Sequence, residues 1–198
     1  MESLKTIIFI GCQGSGKGTQ AQRLREYMEK KDVGTLTFLF SMGGKFREVA
    51  LGDGYTESRI DTLLKAGKIL PVFLPVWLWT RMFINHVQGK EHIIFDGSPR
   101  THEEAEALES AFNFYSREKV LVLNLEVSRG EIIERLIKRG RSDDTKDAIE
   151  ERVSWFEKNT VPVLNFFSKN SRYSILSING EQDPDKVFED IINFISSA

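Results

Sequence analysis

Thr6-Ile7-Ile8-Phe9-Ile10-Gly11-Cys12-Gln13-Gly14-Ser15-Gly16-Lys17-Gly18-Thr19-Gln20 is the stretch that decides the fold of this 198-residue chain. A β-branched apolar run stops at closely spaced glycines, and a helix-forming segment, residues 21–29, follows. Strand, glycine loop and helix together are the setting in which Gly-x4-Gly-Lys works as a phosphate-binding loop. Glycine opens backbone angles closed to other residues, so successive N–H groups can converge on one anion. The helix opening near Lys17 adds the positive end of its dipole, and the lysine reaches the outer phosphates as a point charge. The usual pattern has Ser or Thr directly after the lysine; here Gly18 intervenes and the hydroxyl belongs to Thr19.

Working outward, apolar strand candidates recur at Thr6–Ile10, Leu36–Phe40, Ile93–Phe95, Val120–Leu125 and Ser174–Ile178, with long helical patterns between most of them. That alternation predicts a five-stranded parallel sheet with helices on both faces, an α/β three-layer fold. With 40% hydrophobic residues and no repeats or linker tracts, residues 1–198 read as one domain. Two excursions from the sheet are expected, at 41–75, where glycines break short helical pieces, and at 139–145, a short charged bridge. Pro162 should kink or divide the helical segment 146–169.

The net charge of −2 offers no footprint for nucleic acid or an anionic membrane. The single cysteine, Cys12, excludes an intrachain disulfide framework and a multi-cysteine zinc site, and reads as a small filler. No apolar run approaches the ~20 residues of a membrane span, and the N-terminus lacks a signal-peptide layout. The expectation is a soluble, cytoplasmic protein with no nucleic-acid or membrane partner. His86, His92 and His102 show no metal spacing and read as surface or helix residues; Phe73, Trp77, Trp79 and Phe83 read as packing; Glu103 to Glu109 read as a solvated helix face.

Ile93-Ile94-Phe95-Asp96-Gly97-Ser98-Pro99-Arg100 is the second signature. A strand ending in aspartate puts a carboxylate at the sheet's carboxyl edge, where it can hold magnesium directly or through water. Arg100 is placed to grip a second phosphate bidentately. Arg135 and Arg139, four apart, share one helix face, and Arg141 and Arg152 follow. Cations in such numbers suit a phosphoryl group passing between two anions; the plainer reading is a solvated face paired with Glu131, Glu134, Asp143 and Asp144.

Gly-Ser-Gly-Lys-Gly-Thr-Gln at 14–20, Asp-Gly-Ser-Pro-Arg at 96–100 and Arg-Gly-Arg-Ser-Asp-Asp at 139–144 resemble the adenylate kinase and nucleoside monophosphate kinase family in its short-lid form. Ser41-Met42-Gly43-Gly44-Lys45-Phe46-Arg47 is similar to the start of that family's monophosphate-binding insertion, and Lys65 to Pro71 to the segment whose backbone faces the acceptor base. Asn179-Gly180-Glu181-Gln182-Asp183-Pro184 resembles the turn that packs against the donor adenine. The resemblance spans about Thr6 to Ile195.

It implies a phosphate-loop fold with a helical monophosphate-binding insertion at 41–75 and a very short lid at 139–145. The implied activity is phosphoryl transfer from ATP to a nucleoside monophosphate, most simply AMP, in a monomer. By resemblance, Gly14, Ser15, Gly16, Lys17, Gly18, Thr19, Arg139 and Gly180 would hold ATP. Met42, Arg47, Leu70, Gly97, Arg100, Glu104, Arg141 and Arg152 would hold the acceptor. Lys17, Asp96, Arg139, Arg141 and Arg152 would serve transfer, and Mg2+ would be held mainly through water and the nucleotide phosphates, near Thr19 and Asp96. Arg135 is left as structural support. Gln13, where the family often has proline, should alter loop stiffness more than chemistry.

Three departures bear on the acceptor base. Met42 replaces a threonine, Gly44 an aspartate, and Glu104 a glutamine that reads adenine. An ionised glutamate only accepts hydrogen bonds, which suits the donors of guanine or the cytosine amine; alternatively, Glu104 is exposed in an acidic first turn. The alternatives are therefore a kinase for GMP or a pyrimidine monophosphate, or a non-catalytic nucleotide-binding regulator.

Overall fold

The computed structural model describes residues 4–141 and 144–197. Five strands, β1 (Thr6–Ile10), β2 (Thr37–Ser41), β3 (His92–Asp96), β4 (Val120–Glu126) and β5 (Tyr173–Asn179), form one parallel sheet in the order β2-β3-β1-β4-β5. The helices are α1 (Lys17–Lys31), α2 (Met42–Val49), α3 (Tyr55–Lys65), α4 (Phe73–His86), α5 (His102–Phe114), α6 (Arg129–Arg139), α7 (Lys146–Asn159), α8 (Val161–Ser168) and α9 (Pro184–Ser197). The expected sheet is present, with strand ends shifted by a residue or so.

Central β1 lies between β3 and β4 and is buried along its whole length, which is why its sequence is a continuous apolar run. Its alternation divides the core. Ile8 and Ile10 join Phe95, Val122, Leu108 and Val163 on one side, where α4, α5 and α8 pack. Ile7 and Phe9 join Ala21, Leu24, Val187 and Ile191 of α1 and α9 on the other. Each such Ile, Leu, Val or Phe side chain contributes about 1.5–3 kcal/mol on burial. A third cluster, Cys12, Ile132, Leu136, Ile149 and Val153, ties α6 and α7 to the phosphate loop. Cys12 is the small buried filler expected, and burial pushes its thiol pKa up.

Pro162 divides the helix as anticipated: α7 ends at Asn159 and α8 starts at Val161. The proline falls in the first turn of α8, where no N–H is required.

Other expectations need correction. Phe73 and Trp77 are exposed, because they share the face of α4 opposite buried Leu78, Trp79 and Phe83. His92 is buried at the start of β3: its Nδ1 accepts from Lys5 N–H at 2.9 Å, and its Nε2 lies 2.9 Å from Asp32 Oδ2. The run from Glu103 to Glu109 is not wholly solvated, since Glu104 is buried and Glu109 Oε1 accepts from Asn170.

At the opposite, amino end of the sheet, Glu91 and Arg117 form a buried pair at 2.5 Å. Glu91 also accepts the backbone N–H groups of Gln88, Gly89 and Lys90. Removing one partner would strand the other charge. Arg117→Met is accordingly expected to destabilise the fold by about 3–5 kcal/mol, read as a lower urea midpoint; a midpoint unchanged from the wild type would show the pair to be dispensable.

Candidate active site

The phosphate loop starts where β1 ends. Gly16 caps α1 at φ 94°, a left-handed conformation that opens the helix abruptly at Lys17. A Cβ on Gly11, also at positive φ, would stand 2.7 Å from Ser15 Oγ and 2.9 Å from Leu125 O, so the tight approach of loop to β4 requires glycine. Ser15 N–H donates to Cys12 O at 3.1 Å and closes the turn. No side chain caps α1, and its first turn carries no acid. Its leading N–H groups are therefore left for an anion.

Lys17 lies over its own loop, Nζ donating to Cys12 O at 2.7 Å and to Ser15 Oγ at 3.4 Å. Burial lowers its pKa from 10.5 to about 8, against the opposing pull of Asp96.

Asp96 is the last residue of β3, as the strand pattern predicted. Ser41, last in the neighbouring β2, donates to Asp96 Oδ2 at 3.1 Å. A Cβ on Gly18 would lie 3.4 Å from the same oxygen, so the carboxylate faces the start of α1. No cluster of three or more His, Cys, Asp or Glu suited to a metal occurs among the described residues. One carboxylate with the Thr19 and Ser41 hydroxyls is too sparse to cage a bare cation, but fits magnesium that arrives on nucleotide phosphates and keeps its waters.

Beyond Asp96 the chain turns through Gly97 at φ 83°. Arg100 is held at three points: Nε donates to Gly97 O at 2.7 Å, its N–H donates to Glu104 Oε2 at 3.0 Å, and its carbonyl accepts from Thr160 Oγ1 at 2.9 Å. Glu104 is 2% exposed; Oε2 also accepts from Ser98 Oγ at 2.7 Å, and Thr101 caps its N–H at 3.3 Å. Burial pushes the Glu104 pKa up, while Ser98 and Arg100 pull it down.

The exposed-turn alternative for Glu104 is thus overturned. One of its oxygens is committed to the 98–100 turn, and the side chain does not line the cleft described below. Met42, at 1% exposure, belongs to the core with Phe40 and Phe46, because the first turn of α2 directs it inward. Glu104→Gln retains an acceptor for both donors and should leave the base profile unchanged within about twofold, whereas Glu104→Leu strands two buried donors at about 1–3 kcal/mol and should raise the acceptor KM. A base profile switched by Glu104→Gln would return this side chain to base reading.

These elements surround a cleft of about 600 Å3 at the carboxyl edge of the sheet. The phosphate loop and Asp96 form its floor. Arg47, Gly67, Lys68 and Leu70 of the 41–75 excursion form one wall, and Arg135, Arg139, Arg141 and Arg152 the other. Arg100 and Gly97 stand between them. Ligands in open α/β sheets occupy this edge.

Arg139 is clamped by Asp144, Nε to Oδ2 at 2.9 Å and Nη2 to Oδ1 at 2.8 Å. The same Oδ1 accepts from Arg152 Nη2 at 2.9 Å. The two arginines hold the Asp144 carboxyl below its usual pKa despite burial. Arg135, in the same wall, donates to Glu131 and to Gly180 O at 3.0 Å. Gly180 is wedged beside the phosphate loop, where a Cβ would meet Val127 at 2.7 Å and Ser15 O at 3.4 Å. Ser142 and Asp143 of the expected lid lie outside the described residues.

Nearly all the cations singled out in the sequence thus meet in one cleft, set in a parallel sheet of order β2-β3-β1-β4-β5 with the phosphate loop at its centre. The adenylate kinase family profile matches residues 9–172. The chain belongs to the adenylate kinase family. An adenylate kinase of Bacteroides thetaiotaomicron is 30% identical over 189 residues, covering 93% of this chain and 95% of that protein. A uridylate kinase of Schizosaccharomyces pombe is 32% identical over 198 residues, covering 94% of each. An adenylate kinase 1 of Nostoc is 28% identical over 185 residues. Membership makes the chain a phosphotransferase with nucleotide substrates, on a phosphate-loop fold.

Several members of this adenylate kinase family site carry little signal in the sequence. Ser41 belongs to a recognisable motif, yet nothing local marks it as a partner of Asp96. Asp144 has the pattern of a surface ion-pair partner but bridges two arginines. Thr160 carries no signal, and the amide of Gln13, in a position that suggests only loop stiffness, contacts Arg152.

Proposed function

We propose that this chain transfers the γ-phosphoryl group of Mg·ATP to AMP, yielding two ADP. The observation that carries this reading is the set of cations lining one cleft: Lys17, Arg139, Arg141 and Arg152 by the phosphate loop, and a second group, Arg47 from the 41–75 excursion and Arg100 after β3. A protein that only bound or hydrolysed ATP would have no use for the second group.

An oxygen of the acceptor phosphate attacks the γ-phosphorus as the bond to the bridging oxygen of ADP breaks. The loop amides and Lys17 hold the donor phosphates, Arg47 and Arg100 hold the acceptor phosphate, and Arg139, Arg141 and Arg152 meet the charge on the group in transit. Thr19 and Asp96 would hold Mg2+ largely through water, and the ion would supply neutralisation of the phosphate charge. Gly14, Ser15, Gly16, Gly18 and Gly180 shape the donor side; Leu70 and Gly97 shape the acceptor side. Closure of the 41–75 insertion and the 139–145 lid excludes water and suppresses ATP hydrolysis. The protein acts as one kinase domain, monomeric and cytoplasmic; no helix among the described residues is long and apolar enough to cross a membrane.

The second reading is a kinase for another nucleoside monophosphate. It is favoured by the withdrawal of Met42 and Glu104 from the cleft, which leaves the base fewer side-chain partners, and by the resemblance to a protein named uridylate kinase. Transfer from Mg·ATP to AMP, GMP, CMP, UMP and dTMP, with an ATP-only control, tests both. AMP should give the highest kcat/KM. A higher value for another acceptor selects the second reading, and no transfer to any acceptor refutes both.

A further inference from the structure

Gln13 lies in the middle of the phosphate loop, where the chain bends back toward α1. Its Oε1 accepts from Arg152 Nη1 at 2.9 Å. Arg152 is buried on α7, where Nε donates to Ala148 O at 3.0 Å and Nη2 donates to Asp144 Oδ1 at 2.9 Å. Those ties bind the guanidinium to its own helix and the approach to it. The bond to Gln13 crosses to the element that holds the donor phosphates, over a separation of 139 residues.

From this we infer that Gln13 is a positioning residue for phosphoryl transfer, fixing the Arg152 guanidinium against the phosphate loop; the inference rests on the kinase reading above. Two features support it. Gln13, Lys17, Gly97, Arg100 and Arg152 line both the large cleft and a smaller recess beside Trp155, so the contact stands where the donor and acceptor sides meet. An amide oxygen is also a neutral acceptor. It orients the guanidinium without cancelling the charge, whereas Asp144 is shared between Arg152 and Arg139. A planar cation serving an in-line transfer must be held in angle as well as in place, and a residue without a side-chain acceptor cannot do this from the loop.

The test is a double-mutant cycle on the intact chain, combining Gln13→Met, which keeps the length and removes the acceptor, with Arg152→Lys. Gln13→Ala serves as a second variant, and circular dichroism checks that each folds. Steady-state transfer from Mg·ATP to the best acceptor gives kcat and KM, and calorimetry gives the ATP Kd without acceptor. Gln13→Met is expected to lower kcat about tenfold and to leave the ATP Kd within about twofold. In the Arg152→Lys background it should cost less than about twofold, because there is no longer a fork to orient. Equal losses in the two backgrounds, or an ATP Kd that weakens in step with kcat, would make Gln13 a loop-shaping residue and overturn the inference. If the wild type transfers to no acceptor, the kinase reading falls and the inference with it; an active wild type with additive variants removes the inference alone.

Discussion

Lys17→Met is expected to lower kcat by about 10²–10³-fold, the cost of removing one preorganised charge from a developing anion. Lys17 is the cation on the phosphate loop itself, its Nζ held over that loop by Cys12 O and Ser15 Oγ. Its environment adds a pH signature. Burial brings its pKa to about 8, so between that value and 10.5 the folded chain binds fewer protons than the unfolded one. Stability from this group therefore rises with pH across that window, and below it the buried charge is a standing cost. Nucleotide phosphates favour the charged form. ATP binding at about pH 9 should take up a proton, and binding below about pH 7 should not. Calorimetry in two buffers of different ionisation enthalpy reads this, and Lys17→Met should erase it. Uptake that survives the substitution would assign the proton to another group.

Arg100→Ala should raise the acceptor KM by about 10–100-fold and lower kcat, with the ATP Kd held within about twofold. The selectivity follows from location. Arg100 sits on the turn after β3 and is held by Gly97, Glu104 and Thr160, none of them in the phosphate loop. Removing its guanidinium takes away a cation facing the second anion and leaves the loop amides, Lys17 and the start of α1 as they were. Arg100→Lys is expected to restore charge but not the bidentate geometry, and so to recover only part of the loss. Initial rates at saturating ATP, with acceptor varied, separate the two constants. An ATP Kd that weakens as much as the acceptor KM would show that Arg100 serves both nucleotides.

Between residues close in sequence, the chain by itself determined a great deal. The buried run Thr6–Ile10 must lie in a covered sheet, the following glycines must turn abruptly into a helix, and an aspartate ending an apolar strand must stand at the carboxyl edge. Pro162 must interrupt a helix. Each of these follows from backbone geometry or from a period of 2.0 or 3.6 residues, which needs no knowledge of distant contacts. Lys17 and Arg100 were legible too, by their spacing after a glycine loop and a strand end, whereas Arg47, Arg139, Arg141 and Arg152 were assigned through the family resemblance.

Only the tertiary structure decided which way the intervening side chains face and whom they meet. Met42 and Glu104 occupy positions that resemblance gives to the acceptor, yet the packing of α2 and α5 against the sheet turns both away from the cleft. Ser41 and Asp96 are 55 residues apart and meet because β2 pairs with β3. Thr160 reaches the Arg100 carbonyl because Pro162 ends α7 just there. Gln13 and Arg152 meet because the Cys12, Ile149 and Val153 cluster draws α7 onto the phosphate loop. Local periodicity sets the face on which a residue stands, whereas these hydrogen bonds depend on how buried apolar surfaces bring separate elements together, and that is a property of the whole packed chain.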